Sequence, residues 1–190
     1  MLTKKLLSIA LMLLPLYGIS QSRKPIDGFF GIKFGSDLET VKKGMAAKGA
    51  RLVVDSSSTD VLLFDGVTFE NRKNVQVFVK LVDGKAYEAD LGFPTEPLDK
   101  PVEFYNNVVK ELNETYGMGL VTRNFKPPYN DGDGKELEAI KTGNAQIFTI
   151  WADEANDNAI DVMLDSTLYT IIIVQNGTLQ QTAANKQQKE

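Results

Sequence analysis

The side chains that could do chemistry in this sequence are almost entirely carboxylates. The chain holds 25 acidic residues but no histidine and no cysteine. Without these two residue types there is no imidazole base, no serine–histidine triad, no thiolate nucleophile and no disulfide. A pair of carboxylates can hydrolyse a glycosidic bond, but no pair stands out here by its spacing. We therefore predict a protein without catalytic residues, and a carboxylate-dependent hydrolase stays an alternative.

Two acidic segments carry the clustered oxygen atoms that a hard cation prefers. Residues 130–136 read Asn-Asp-Gly-Asp-Gly-Lys-Glu, and residues 153–158 read Asp-Glu-Ala-Asn-Asp-Asn. In the first segment Lys135 and Glu136 stand where an EF-hand loop needs an oxygen ligand and a glycine, which favours a polar hairpin loop. The sequence therefore predicts no cofactor and no metal site. A small-ligand or calcium-binding protein stays an alternative, in case the two loops bind one ion together.

Three large side chains are candidates for binding a partner protein. In the strand predicted over 75–82 the valines alternate with Phe78, and Met163 alternates with the aliphatic residues of its own strand. If helices cover one face of the sheet, Phe78, Trp151 and Met163 can lie on the open face, where exposed aromatic side chains are typical anchors of an interface. The alternative for Trp151, the only tryptophan, is a core position beside a helix end.

The sequence predicts two amphipathic helices to position these residues. The first begins at Ser36, which forms a capping box with Glu39, and it ends at Gly49. The second begins at Pro101, where the missing N–H is tolerated, and it ends at Gly117. Each has an apolar stripe at helical spacing and should lie on a sheet.

Strand-like segments follow each helix. Their enrichment in β-branched and aromatic residues predicts strands over 51–55, 61–64, 75–82, 85–91, 120–124, 137–141, 146–152, 159–164 and 168–174. Asp83-Gly84 predicts a tight hairpin between two of them. The fold class is therefore α+β, with two amphipathic helices packed on one face of antiparallel sheet in a tandem helix-plus-four-strand layout. Whether the two halves form one continuous sheet or two is left open.

The two ends of the chain differ from this central domain. Lys4 and Lys5 precede an apolar run over 6–17 that is shorter than the roughly 20 residues a membrane-spanning helix needs, which predicts a cleaved signal peptide over 1–20. The α+β domain is then 21–176, with pseudo-halves 28–92 and 99–176 and a linker around 93–98. Residues 177–190 lack periodicity and predict a flexible tail.

Charge and composition limit the location and the partners. The formal net charge is −4, and removal of the signal peptide with its two lysines would make it −6. An acidic surface without a basic cluster argues against nucleic-acid binding and against adsorption to anionic lipid. The absence of cysteine excludes lipoprotein anchoring. We expect an exported protein, periplasmic or secreted, with an envelope protein as a possible partner, no membrane insertion after signal cleavage and an oligomeric state that the sequence leaves open.

The start of the first helical unit carries a resemblance to known proteins. Residues 29–41 resemble the opening Ile-x-x-Gly-(Ser/Thr/Met)-x-x-(Glu/Gln)-x-Val of small exported helix-plus-sheet domains, among them the β-lactamase inhibitor protein-like fold and the small lipoproteins of outer-membrane assembly. Tyr105, Tyr116-Gly117, Trp151 and the strand ending at 171–174 are similar to segments of uncharacterised exported bacterial proteins. The resemblance implies two tandem helix-plus-four-strand units and a scaffold that binds other proteins, and it implies no catalytic residues. The sequence thus predicts a non-catalytic, inhibitor-like or protein-binding module of the bacterial cell envelope.

Overall fold

The computed structural model describes residues 24–93 and 100–188. The predicted signal peptide, and all of the predicted linker except Phe93, lie outside the described residues. A short 3-10 turn covers Val54–Ser56. The other elements, in chain order, are β1 (Gly28–Phe29), β2 (Ile32–Lys33), α1 (Leu38–Ala47), β3 (Arg51–Leu52), β4 (Val61–Phe69), β5 (Arg72–Val82), β6 (Lys85–Gly92), α2 (Pro101–Tyr116), β7 (Leu120–Phe125), α3 (Glu136–Lys141), β8 (Ala145–Asp153), β9 (Asn158–Leu164), β10 (Thr170–Asn176) and α4 (Gly177–Gln187).

Eight strands of the described chain form one antiparallel sheet in the order β3-β4-β5-β6-β10-β9-β8-β7. Each predicted half contributes four consecutive strands, and the last strand of each half lies at the centre. There β6 and β10 pair from Gly92 opposite Ile171 to Glu88 opposite Gln175. The α+β class with a large antiparallel sheet is confirmed, and the two halves share a single continuous sheet.

The first helix begins one residue later than predicted. The side chain of Asp37, rather than Ser36, accepts a hydrogen bond from the backbone N–H of Thr40 at 2.8 Å. Ser36 is instead part of the preceding turn, where its carbonyl accepts from the N–H of Ala86. The helix buries Val41 and Met45 completely, as the helical spacing predicts.

The second helix has the predicted bounds, with Pro101 at its first turn and Gly117 directly after its last residue. Tyr105, Val108 and Leu112 are buried against the sheet. At the hairpin between β5 and β6, both Asp83 and Gly84 have positive φ, at 52° and 70°, as the predicted turn requires.

Two predictions about the second half are wrong. Residues 137–141 form helix α3 rather than a strand, because Ala139 and Ile140, which are adjacent and both buried, can face the core together only on a helix. The tail predicted as flexible forms helix α4, whose N-terminus is capped by Asn176 accepting from the N–H of Leu179 at 2.9 Å. The sequence of helix α4 has no apolar stripe, and the helix accordingly buries no residue.

The register of the strands defines two faces of the sheet. Residues directly opposite each other project to the same face. We call the face that bears Val79 the inner face, and its pairing runs from Val79 through Ala89, Val174 and Ile160 to Trp151. Most of the buried core lies on this face.

Helices α2 and α4 lie on opposite faces of the sheet. The Tyr105 hydroxyl of α2 bonds Thr149 Oγ1 on the inner face at 2.6 Å. Gln180 of α4 donates to Gln175 and Glu88, which project from the other face, called here the outer face. Helix α4 thus covers part of the outer face near β5, β6 and β10.

Candidate binding surface

The structure separates the three residues predicted to share an open face. Phe78 pairs with Leu63 and Asp90 on the outer face, and it is 37% exposed. Met163 pairs with Phe148 and is half-buried on the same face. Trp151 projects from the inner face and is only 4% exposed, so its placement on the open face is wrong.

Trp151 occupies the alternative position beside the end of a helix. Its indole N–H donates to the carbonyl of Gly117 at 2.8 Å and to Oδ1 of Asn113 at 3.1 Å, both at the end of α2. A Cβ at Gly119 would lie 2.7 Å from the indole ring, so this glycine allows the close approach of the chain to Trp151. Trp151 therefore fastens the last turn of α2 to β8.

The outer face carries a broad apolar surface. A row of directly paired residues crosses the sheet on this face from Leu63 through Phe78, Asp90, Ile173, Asp161 and Ile150 to Leu120. The neighbouring row contains Ile171, Met163 and Phe148. We call the large apolar members of the two rows the outer patch, which consists of Phe78, Leu120, Phe148, Ile150, Met163, Ile171 and Ile173.

The members of the outer patch are all at least partly open to solvent. Phe78 and Leu120 are exposed, and the other five are half-buried. An antiparallel sheet with one solvated face normally places polar side chains there. An apolar surface of this breadth on a solvated face is typical of a site that binds another molecule.

Sequence reasoning found Phe78 and Met163 but missed the rest of the outer patch. The signal was present in the alternation of β8, where Phe148 and Ile150 project to the face opposite Trp151. It was not decisive, because β8 is apolar on both faces and the sequence does not show which face the helices cover.

A chain of polar side chains runs along the outer face beside the patch. Lys80 forms ion pairs with Glu88 and, at 2.9 Å, with Asp90. Gln180 of α4 donates to Glu88 at 3.3 Å and to Gln175 at 2.7 Å. This chain links β5 and β6 to α4 and β10.

The chain continues to a carboxylate inside the apolar surface. Gln175 donates to Oδ2 of Asp161 at 2.7 Å. Asp161 itself lies between Ile173 and Ile150 in the paired row. Among the described residues no cationic side chain pairs with Asp161, whereas Asp90 and Glu88 share Lys80.

Burial changes the protonation of these groups. Burial raises the pKa of Asp161 above its ordinary value, and the hydrogen bond from Gln175 offsets only part of this effect. Burial also raises the pKa of Glu88, although the bond from Lys80 acts in the opposite direction. For Lys80, burial favours the neutral form, but the bonds with Glu88 and Asp90 together raise its pKa and keep it charged. Within the described chain, Oδ1 of Asp90 is buried without a hydrogen-bond partner.

The carboxylates of the loop at 130–136 stabilise the loop itself. Asp131 pairs with Arg123 at 2.7 Å. Asp133 accepts from the backbone N–H groups of Asn130 and Lys135, and Glu136 accepts from the N–H of Gly132. These contacts hold the pKa of Asp131 and of Asp133 below the ordinary value.

The second acidic loop is tied to other parts of the chain. Asp153 accepts from Asn156 at 3.0 Å, and Asp157 accepts from Thr178 of α4 at 2.9 Å. Over residues 24–93 and 100–188, no three acidic side chains are grouped in a way that could hold a metal ion. Binding of a calcium ion to either loop stays an alternative for experiment.

Two grooves border the outer face. One, of about 740 Å³, is lined partly by Tyr116, Met118, Leu120, Ile150 and Trp151 at the start of β7. The other, of about 690 Å³, lies between α4 and the strands β5 and β6. Both grooves are open to solvent and lie beside the outer patch.

Comparisons of the chain with protein-family models, with curated proteins and with solved structures found no significant match. Among the helices of the described chain, none combines the length and the apolar character that crossing a membrane requires.

Proposed function

We propose that this protein is an exported, non-catalytic binding module of the bacterial cell envelope, and that the outer patch is its recognition surface for a partner protein. The observation that carries the proposal is the row of half-exposed apolar side chains on a sheet face that a monomer would otherwise fill with polar residues. A few large side chains at the centre of an interface supply most of its binding energy, and burial of the surrounding apolar side chains excludes water from them.

The arrangement of helices supports this assignment. In our proposal α1 and α2 both pack on the inner face and leave for recognition the part of the outer face that α4 does not cover. The buried residues Val41 and Met45 of α1, and Tyr105 and Val108 of α2, belong to the same buried cluster as the inner-face valines represented by Val79. We base the proposed likeness to exported inhibitor-like domains on one helix followed by four strands in each half, with α3 inserted between β7 and β8 of the second half.

The polar chain beside the patch supports a role in specificity. Asp161 carries its charge in the middle of apolar neighbours, with one hydrogen bond from Gln175. A partner that places a cation there gains an ion pair inside a desolvated interface, and a partner with an anion is rejected. A function in recognition thus accounts for a carboxylate that contributes little to folding.

The location in the cell envelope is proposed from the signal peptide predicted over 1–20. A domain without cysteine must be stable without disulfides in that compartment. The continuous buried cluster of this domain supplies that stability from the packing of its sheet and helices.

The experiment is a recovery assay with purified protein as bait and an envelope extract of the source bacterium as prey. The test variant combines Phe78→Ser with Met163→Ser in the outer patch. The matched control combines Val54→Ser with Leu137→Ser, because both are exposed apolar residues outside the patch and Leu137 has the same 37% exposure as Phe78. Circular dichroism and thermal melting confirm that all three proteins are folded.

We expect the wild type and the control variant to recover the same partner, and the outer-patch variant to recover at least about tenfold less of it. Equal recovery by the outer-patch variant would remove this surface from the binding function.

A further inference from the structure

The exposed apolar side chains of the described chain are concentrated at the beginning of β7. Met118 is 75% exposed, Leu120 is 72% exposed and Val121 is 49% exposed. These three residues lie within four positions of one another, where the chain enters an edge strand. Such a concentration on an edge strand marks a surface that another molecule can cover.

The two edges of the large sheet differ. At one edge β3 has only two residues, which is a common way to protect an edge from pairing. At the other edge β7 has six residues and contains neither lysine nor proline. Its one charged side chain, Arg123, is paired with Asp131. The β7 edge is therefore long enough to accept another strand, and Arg123 is the only charged side chain within it.

The hydrogen-bond phase of β7 identifies the groups that face outward. The N–H of Lys126 bonds the carbonyl of Asn144 at 2.7 Å, in register with the pairing of β7 and β8. In a regular antiparallel ladder every second residue bonds the partner strand. Leu120, Thr122 and Asn124 therefore bond β8.

It follows that Val121, Arg123 and Phe125 direct their N–H and C=O groups away from β8. Outside the strand ladders, no backbone hydrogen bond joins these groups to another described residue. The preceding outward position, Gly119, shows the contrast, because its N–H is bonded by Oδ1 of Asn113 at 2.9 Å. The outward N–H beside α2, that of Gly119, is thus hydrogen-bonded within the chain, whereas the outward backbone groups of Val121, Arg123 and Phe125 are available to another strand.

We propose that the β7 edge binds an extended segment of another protein by strand addition. The backbone of that segment would bond Val121, Arg123 and Phe125. An apolar side chain of the segment would lie beside Leu120 and enter the groove that Met118 and Trp151 help to line. The specificity is for a strand with apolar residues at alternate positions and without a cation opposite Arg123.

A second copy of this chain fits the edge less well. Suppose that two copies pair their β7 edges as antiparallel strands related by a two-fold axis. The register that uses the outward residues of both copies then places Arg123 of one copy opposite Arg123 of the other, and like charges in directly opposite positions are unfavourable. The favoured occupant is therefore a different protein. This site borders the recognition surface proposed above and shares Leu120 with it, whereas its variants below leave Phe78 and Met163 unchanged.

The test is amide hydrogen exchange followed by NMR on the full mature chain, with and without a synthetic peptide. The probe is an end-blocked heptapeptide, Val-Thr-Val-Glu-Val-Thr-Val, which places its glutamate opposite Arg123 and its valines on the face of Leu120. The control peptide has the same sequence with N-methylated amides at positions 2, 4 and 6, which face β7. In the free protein we expect the amides of Val121, Arg123 and Phe125 to exchange fast and those of Thr122 and Asn124 to be protected.

Saturating probe peptide should slow exchange at the three outward amides by at least about tenfold, and the N-methylated peptide should not. Protection of these amides in the free monomer, no slowing with the probe, or equal slowing with both peptides would overturn the proposal. Protection that increases with protein concentration alone, together with a dimer in sedimentation, would overturn it in favour of self-association.

A pair of variants gives a second readout. Val121→Pro removes an outward donor and should abolish peptide binding while β7 stays paired with β8, whereas Thr122→Pro removes a ladder bond and should lower the melting temperature. If Val121→Pro fails to fold, the exchange measurement on the wild type still decides. A folded Val121→Pro variant that binds the probe as well as the wild type would contradict the proposed phase.

Discussion

Two buried threonines on the inner face allow a sharp test of how α2 is held on the sheet. Thr149 and Thr170 are both almost inaccessible to solvent, and both project toward the core. The Thr149 hydroxyl bonds the Tyr105 hydroxyl at 2.6 Å, whereas the Thr170 hydroxyl has no partner among the described residues. The same substitution, threonine to valine, should therefore change stability in opposite directions at the two positions.

The magnitudes follow from the cost of leaving a buried polar group unpaired. Thr149→Val leaves the hydroxyl of Tyr105 without a partner and should lower the free energy of unfolding by about 1–3 kcal/mol. Thr170→Val replaces an unpaired hydroxyl by a methyl group and should raise it by about 1 kcal/mol. At roughly 2–4 °C per kcal/mol for a domain of this size, the two melting temperatures should differ by at least about 4 °C.

A double-mutant cycle isolates the contact itself. Tyr105→Phe should cost about as much as Thr149→Val, because it leaves Thr149 as the unpaired partner. The double variant should lose less than the sum of the single losses, with a coupling of about 1 kcal/mol. Urea denaturation followed by circular dichroism measures each free energy of unfolding with the same slope if unfolding is two-state.

The reasoning would be refuted if Thr149→Val were as stable as the wild type, or if Tyr105→Phe and Thr149→Val were strictly additive. Either result would mean that the hydroxyl pair does not hold α2 on the inner face. A loss of stability in Thr170→Val equal to that in Thr149→Val would show that valine is poorly accommodated at both sites, independently of hydrogen bonding.

Three further predictions concern the outer face, the tryptophan and the acidic loops. Asp161→Asn keeps an acceptor for Gln175 and removes a charge whose pKa is raised by burial, so it should raise the melting temperature at neutral pH. Ionisation of the buried Asp161 destabilises the wild type, and the stability gained in Asp161→Asn should be less than about 1 kcal/mol because the group is partly hydrated. This gain should vanish at acidic pH, where Asp161 is protonated in the wild type. A gain that stays constant with pH would contradict ionisation as its cause. Trp151→Phe removes the indole bond to Gly117 and should lower the free energy of unfolding in urea by about 1–3 kcal/mol, whereas an unchanged value would show that this bond does not fasten α2. Millimolar calcium should leave the melting temperature unchanged, because the carboxylates of the loop 130–136 bond the loop's own backbone, and a rise that a chelator reverses would instead identify a calcium site.

The elements with a regular apolar pattern could be predicted from the sequence. The stripes of α1 and α2 repeat at helical spacing, and Val41, Met45, Tyr105 and Leu112 in them are buried. The hairpin at Asp83-Gly84 depends on two neighbouring residues alone. In β5 the alternation of Val75, Val77 and Val79 with polar residues or Phe78 gave the inner face correctly.

The helices α3 and α4 lack such a pattern and could not be predicted from the sequence. Helix α3 is only six residues long, and its apolar residues do not decide between the two patterns: Leu137 and Ala139 fit a strand, whereas Leu137 and Ile140 fit a helix. Helix α4 is held by polar contacts such as that of Gln180 with Glu88 and buries no side chain, so hydrophobic periodicity gives no signal.

The candidate surface depends on contacts between residues far apart in sequence. Pairing of β6 with β10 joins the two halves and brings Asp90 beside Ile173, and nothing local in either strand announces this partner. The face of Trp151 could not be predicted for the same reason. Alternation shows which residues of β8 share a face with Trp151, but it does not show that α2 covers that face.

The outer patch as a protein-recognition surface is tested most directly by site-specific photo-cross-linking in cells that produce this protein. Benzoylphenylalanine is incorporated in place of Phe78 in one strain and in place of Val54, an exposed residue outside the patch, in another. Recognition through the outer patch predicts a defined adduct with one envelope protein from position 78 and none from position 54. No adduct from position 78 in a folded protein, or the same adducts from both positions, would contradict it.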